Sequence, residues 1–387
     1  MGIHVSRAME NCVNLADLRR AAIRRAHPIV FDYIDGGADD EHTLARNATA
    51  FADYELMFRV LVGVESVDPG TRILGQQTTL PYIASPAAGN RLFHTEGELA
   101  VARASAEAGI IYCLSTLASA SIEAVAEVSK GPKWFQLYVW KDRALVKEML
   151  DRARAAGYQA LILTVDFPIA GNRERDLKNQ LFIPPKIRPR HVWDALKRPG
   201  WTVDYLFSPP IRYANLSQDS PAISLADFVA AQLNAAFDWH DVEWLLGEWN
   251  GPSVIKGIVR TDDARRAVAT GFNGIMVSNH GGRQLDFSPA PIDVLGSIID
   301  EVGAAAEVIL DGGVRRGTDV LKALALGARA VSAARPYLYG LAAAGYPGVR
   351  RALDLVDRSI RRDMALLGVR SVAEIDSSFV RRTPRQA

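Results

Sequence analysis

Eight short apolar, β-branched runs recur along the chain, and helical patterns of Ala, Leu, Glu and Arg stand between them. The runs are "PYIASPAA" (81–88), "IIYCLST" (110–116), "KWFQLYV" (133–139), "ALILTVD" (160–166), "PSVIKGI" (252–258), "GIMVSNH" (274–280), "AEVILDGG" (306–313) and "ARAVSAARP" (328–336). Intervening stretches such as "TEGELAVARASAEAG" and "DRALVKEMLDRARAAG" read as amphipathic helices closed by a C-cap glycine. Eight strand–helix units predict an α/β fold, a (β/α)8 TIM barrel spanning 80–365 in a single domain, 1–387. Residues 15–65 read as N-terminal helices packed over one end of the barrel. Between the fourth and fifth runs about 85 residues intervene, far beyond a usual connection, which predicts a long insertion at 175–250.

In such a barrel the chemistry sits where the strands end, because the following loops converge on one mouth. Polar side chains fall at those ends: Ser115, Gln136, Tyr138, Thr164, Asp166, Lys256, Ser278, His280, Asp311 and Arg335. A histidine placed there can accept a proton if a carboxylate fixes its tautomer, and Asp166 is the expected partner of His280. Alone, the pair reads more readily as a loop cap and a histidine satisfying a carbonyl. Two arginines shift the balance. Arg283 lies three residues beyond His280 and Arg173 seven beyond Asp166, and a guanidinium fork matches a carboxylate bidentately. A carboxylate substrate is therefore expected, with Tyr138 and Tyr33 able to hydrogen-bond it. "LDGGVRRG" and "SAARP" follow the seventh and eighth runs, where barrels often hold phosphate. Lys256 can either stabilise a reduced, anionic cofactor ring or pair with an acid inside the barrel.

Charge excludes one class of partner: 45 Lys and Arg against 44 Asp and Glu leave a net charge of +1, no footprint for nucleic acid. Cys12 and Cys113 are too few for a disulfide framework or a Cys-rich metal site, so no metal is expected and a reducing compartment fits. With neither a signal-peptide core nor an apolar run of about eighteen residues, the chain reads as cytoplasmic, with any membrane contact peripheral, on the inner face.

Taken in order, "FDYIDGGADDE", "FQLYV", "TVDFP", "SNHGGRQLD" and "LDGGVRRGTDVLKALALGA" closely resemble the family of FMN-dependent 2-hydroxy acid dehydrogenases and oxidases, over about residues 14–380. The resemblance implies oxidation of an (S)-2-hydroxy acid by FMN in a homotetramer. His280 would remove the hydroxyl or α-proton, Asp166 would steady the imidazolium, and Arg173 and Arg283 would clamp the carboxylate with Tyr33 and Tyr138 assisting. For FMN it implies backbone contacts from Pro86, Ala87 and Ala88 and polar contacts from Ser115, Gln136, Thr164 and Ser278. Lys256 would lie beside the flavin's N1 and O2 edge, and Asp311, Gly312, Gly313, Val314 and Arg315 would hold the phosphate with Ala334 and Arg335. Rival readings are a barrel that binds carboxylate or phosphate without turnover, or an FMN barrel with another reaction.

Departures from the family pattern carry information about substrate and acceptor. Ala87 and Ala334 replace the usual Thr and Gly, but backbone contacts survive both changes. Ala88 is the residue of several oxidases, where relatives resembling mandelate dehydrogenase often carry Gly, so the acceptor stays open between oxygen and a quinone type. Leu117 stands where Trp is found in glycolate oxidases, and with Phe167 it predicts an apolar pocket that prefers mandelate-like acids to L-lactate, and both to glycolate. Residues 178–212 carry seven Lys or Arg against two Asp, interleaved with Trp193, Trp201, Tyr205 and Phe207. That composition suits an anionic bilayer surface, or equally an active-site lid packing on neighbouring subunits.

Overall fold

Eight parallel strands close on themselves in the computed structural model, which describes residues 9–179, 189–216 and 232–383. They are β1 (Tyr82–Ala84), β2 (Ile111–Ser115), β3 (Lys133–Leu137), β4 (Ala160–Thr164), β5 (Ser253–Ile258), β6 (Gly274–Val277), β7 (Glu307–Asp311) and β8 (Ala330–Ala333). Each pairs with the next, and β8 returns to β1 with Val331 opposite Tyr82 and Ala333 opposite Ala84. All eight are nearly fully buried because helices cover them outside and side chains fill the interior, which is why they read as continuous apolar runs.

Side chains alternate across each strand, so every second residue points into the barrel. Ile83, Ile111, Cys113, Trp134, Ile162, Val254, Met276, Ile309 and Ala330 form that inner core. Two residues further along, the inward positions become Ser115, Gln136, Thr164, Lys256, Ser278, Asp311 and Ser332, all buried. The barrel thus ends in a polar layer. Its opposite end is closed by the antiparallel hairpin Thr71–Ile73 and Gln76–Thr78, which the sequence reading did not single out. Ile73 joins the inner core and Leu74 packs against it. The Leu74 amide donates to Glu307 Oε2 at 2.8 Å, and Trp134 Nε1 donates to Gln76 Oε1 at 3.0 Å.

Helices Leu15–Arg25, Pro28–Asp35 and His42–Thr49 form the N-terminal region, but the helical part stops short of residue 65. Tyr54–Leu56 instead pairs antiparallel with Val380–Arg382, joining the two ends of the described chain. After β4 come the helices Glu174–Asn179, Pro189–Leu196 and Pro199–Leu206, with residues 180–188 and 217–231 outside the described part. Trp201 Nε1 donates to the Leu92 carbonyl at 3.1 Å, Arg25 pairs with Asp204, and the Ala214 amide donates to the Ala118 carbonyl at 3.0 Å. The segment is thereby docked beside the mouth. Trp239–Trp249 packs on helix Arg143–Ala155 and fills the ordinary place of the helix between β4 and β5.

Candidate active site

A cleft of about 950 Å3 opens over the polar layer, and most of the predicted residues line it: Tyr33, Pro86, Ala87, Ala88, Ser115, Tyr138, Arg173, Lys256, His280, Arg283, Asp311, Gly312, Gly313, Arg315, Ala334 and Arg335. At its centre His280 Nδ1 donates to Asp166 Oδ1 at 2.8 Å. That bond leaves Nε2 as the acceptor nitrogen, in a long hydrogen bond of 3.4 Å with the Tyr138 hydroxyl. His280 holds φ +59, a left-handed conformation rare for a side chain of this size, and its amide is tied to Ser278 Oγ at 3.1 Å. Asp166 has room only because residue 257 is glycine: a Cβ there would lie 2.7 Å from the Asp166 Cβ and Cγ. The second carboxylate oxygen, Asp166 Oδ2, is buried without a hydrogen-bond partner among the described residues.

Burial pushes the His280 pKa below the usual histidine value of 6.5, against the opposing pull of Asp166. Burial also works to raise Asp166, but the attraction of His280 and then Lys256 outweighs it and holds the carboxyl below its ordinary range. At neutral pH the pair is therefore a neutral imidazole on a carboxylate. Burial pushes Tyr138 up to about 12, so it remains a hydroxyl donor.

Lys256 pairs with an acid inside the barrel and also borders the cleft. Its ammonium lies 3.2 Å from Asp311 Oδ2 and 3.1 Å from Ser278 Oγ. Burial disfavours its charge, but Asp311 foremost, then Asp166, more than restore it. Asp311 in turn accepts from Ser85 Oγ and Ser278 Oγ, each at 2.8 Å. Asp311 borders the cleft, and its carboxylate is engaged by Lys256, Ser85 and Ser278. Breaking a buried pair of this kind leaves an unpaired charge, at a cost of about 3–5 kcal/mol.

The two expected carboxylate-binding arginines reach the cleft from different loops. Arg283 Nη1 donates to the Tyr33 and Gly36 carbonyls at 2.6 and 3.0 Å, and its guanidinium lies 4.8 Å from the Tyr33 ring centre. Arg173 approaches Gln284 Oε1 at 3.4 Å and lies 5.9 Å from the Phe167 ring centre. Burial and then the charge of Arg173 lower Arg283 to about 10, still cationic at neutral pH. Among the described residues neither arginine has a carboxylate within ion-pair distance. Two cations therefore converge on one apolar-walled space.

Ser115 Oγ donates to Gln136 Oε1, and Gln136 Nε2 donates to Thr164 Oγ1, both at 3.0 Å. Ser115, Gln136 and Thr164 thus form a linked polar row, while Ser278 bonds to Lys256 and Asp311. Val314 is turned into the protein core, away from the cleft. Arg335 donates to the carbonyls of Ile34, Gly281 and Gly36 at 2.9–3.0 Å, and so ties the N-terminal region over the mouth. Sequence reasoning missed Ser85, which is adjacent to Pro86 and anchors Asp311. It also missed Gln284, whose Nε2 donates to the Asp166 and Ile169 carbonyls, each at 2.9 Å. Gln284 lies inside the quoted "SNHGGRQLD", and only the fold reveals what it holds.

Whether these residues fit a flavin nucleotide can be judged from the cleft itself. Gly312, at φ +97, lines it, and a Cβ built there meets nothing nearer than Gly281 Cα at 3.8 Å. A side chain would fill the cradle that glycine leaves open. Beside it stand Arg315 for a phosphate and Lys256 for a ring that gains negative charge on reduction. The donor set fits FMN.

Residues 22–382 match the sequence model of the FMN-dependent dehydrogenases, and the chain belongs to that family of FMN-dependent oxidoreductases. It is 43% identical over 378 residues to "L-lactate oxidase" of Nostoc sp., covering 96% of this chain and 99% of the relative. It is 44% identical over 358 residues to human "2-Hydroxyacid oxidase 1", covering 92% of each. Among solved structures, the monotopic membrane protein (S)-mandelate dehydrogenase superposes with a TM-score of 0.92 at 35% identity, over 96% of this chain and 100% of that one.

Proposed function

We propose that this enzyme oxidises (S)-2-hydroxy acids to 2-oxo acids, with His280 as the base and Arg173 and Arg283 as the carboxylate clamp. One observation carries the reading: a carboxylate-backed imidazole lines the same cleft as two guanidiniums that have no carboxylate partner among the described residues. FMN, held beside Lys256 and Arg315, would supply the two-electron redox chemistry that the oxidation requires. His280 receives the proton at Nε2, and the Asp166 carboxylate stabilises the imidazolium that results. Tyr138 places its hydroxyl beside Nε2, where it orients the substrate oxygen. Tyr33 forms the face against which Arg283 is held.

Leu117, Phe167 and Phe93 line the same cleft, so a phenyl side chain gains more from burial than a hydrogen or methyl, at about 25 cal/mol per Å2. Mandelate-like acids are therefore the preferred class, ahead of L-lactate and glycolate. Mixing the yellow protein anaerobically with each acid tests the order. The wild type should bleach fastest with mandelate, and His280→Gln should stay yellow, binding FMN but losing about 10²–10⁴-fold in the reduction rate. Near-normal bleaching by that variant, or fastest bleaching by glycolate, would overturn the base or the pocket respectively. Readmitting air distinguishes oxygen from a quinone-type acceptor.

We further propose that helices Pro189–Leu196 and Pro199–Leu206 rest on an anionic membrane surface. Val192, Trp193, Leu196, Val203, Leu206 and Phe207 are exposed on them, and Lys197 lies 5.1 Å from the Trp193 ring centre. Apolar and aromatic side chains beside cations match the bilayer interface.

A further inference from the structure

On the flank of the barrel a second cavity, of about 800 Å3, opens between residues 13–15, the loop after β7 and the helices Gly317–Ala325 and Tyr346–Leu367. Five arginines line it: Arg315, Arg316, Arg351, Arg358 and Arg362. On the long helix, positions 351, 355, 358, 359 and 362 fall on one stripe, so the helical period itself turns three of the arginines to this side. No Asp or Glu is part of the lining.

The charges here are poorly compensated. Arg362 pairs with Asp363 at 2.7 Å. Among the described residues Arg315 donates to the Val314 carbonyl at 2.8 Å, and Arg351 donates to the carbonyls of Cys12 and Glu10 at 2.8 and 3.1 Å. Arg316 and Arg358 are exposed, and among the described residues no carboxylate lies within ion-pair distance of either. The adjacent acid Asp319 is committed to the amides of Arg315 and Arg316, at 2.8 and 2.9 Å. Apart from Arg315, which also borders the flavin cleft, the guanidiniums of Arg316, Arg351 and Arg358 have no carboxylate partner among the described residues and share one concave space in a chain whose net charge is +1. Scattered surface arginines diverge into solvent, whereas convergence of like charges costs energy that a polyanion would recover.

We infer that this cavity is a second oxyanion site, taking a soluble small molecule with two or more phosphoryl groups, such as a polyphosphate or nucleotide. A monocarboxylate would engage one fork, whereas several phosphoryl groups engage the arginines together, bidentately. Arg315 also lines the cleft at the mouth, so occupancy of the two spaces is coupled, and the coupling is reciprocal.

The test is a calorimetric titration of FMN-saturated enzyme with tripolyphosphate at constant ionic strength, in the presence of a saturating 2-oxo acid that blocks Arg173 and Arg283. One equivalent should bind per chain. Combining Arg316→Glu with Arg358→Glu should weaken binding about 100-fold, a tenfold loss or about 1.4 kcal/mol for each site. Neither side chain has a described partner to lose, so folding, flavin absorbance and 2-hydroxy acid turnover should be unchanged, and Arg358→Lys should retain most of the affinity. Absence of saturable heat, or equal binding by the double variant, would overturn the inference. Turnover, measured on the same protein, reports separately on the reading of the mouth.

Discussion

At the scale of single residues, Asp166 acts on His280 as a charge, and that action has a testable sign. Burial lowers the pKa of His280 and Asp166 partly restores it, so the neutral base persists below pH 6.5 and the acid limb of kcat/KM should fall below that value. Asp166→Asn keeps an acceptor for Nδ1 but removes the restoring charge. The limb should therefore move to still lower pH while the plateau drops about 10²-fold or more, because the imidazolium is no longer stabilised. An acid limb that rose, or a plateau that held, would show that Asp166 only positions the ring. Stability follows the same direction. Folding depresses the pKa of His280, so its contribution is fully present above about 6.5 and is lost as pH falls through the folded value. The pairing was legible although the two residues stand 114 apart, because both close a barrel strand. The anchoring of Asp311 by Ser85 was not, since a serine next to a proline reads as an ordinary turn.

Among the elements, the barrel strands were legible because burial on both faces makes each of them apolar from end to end. The floor hairpin was not: its two strands have three residues each, and "TRI" and "QQT" carry no apolar alternation. Nor was the pairing of Tyr54–Leu56 with Val380–Arg382, whose partners lie at opposite ends of the chain and leave no local signal. The segment after β4 was recognised by its length and composition, and its helices Pro189–Leu196 and Pro199–Leu206 now localise the exposed apolar groups. Replacing Leu206 and Phe207 by Asp should abolish sedimentation with phosphatidylglycerol vesicles while turnover in solution is kept, since both side chains are exposed and their loss removes little packing. Equal recovery of wild type and variant with the vesicles would remove the membrane role and favour the lid.

For the whole molecule, the floor formed by Ile73 and Leu74 beneath the inner core has a kinetic meaning. A packed barrel offers no back door, so the organic acid and the oxidising partner must take turns at one threshold. Each departing product clears the way for the next arrival. Initial rates measured against both reactants should therefore give parallel double-reciprocal lines, the signature of ping-pong turnover, and intersecting lines would mean that the two can occupy the vestibule together.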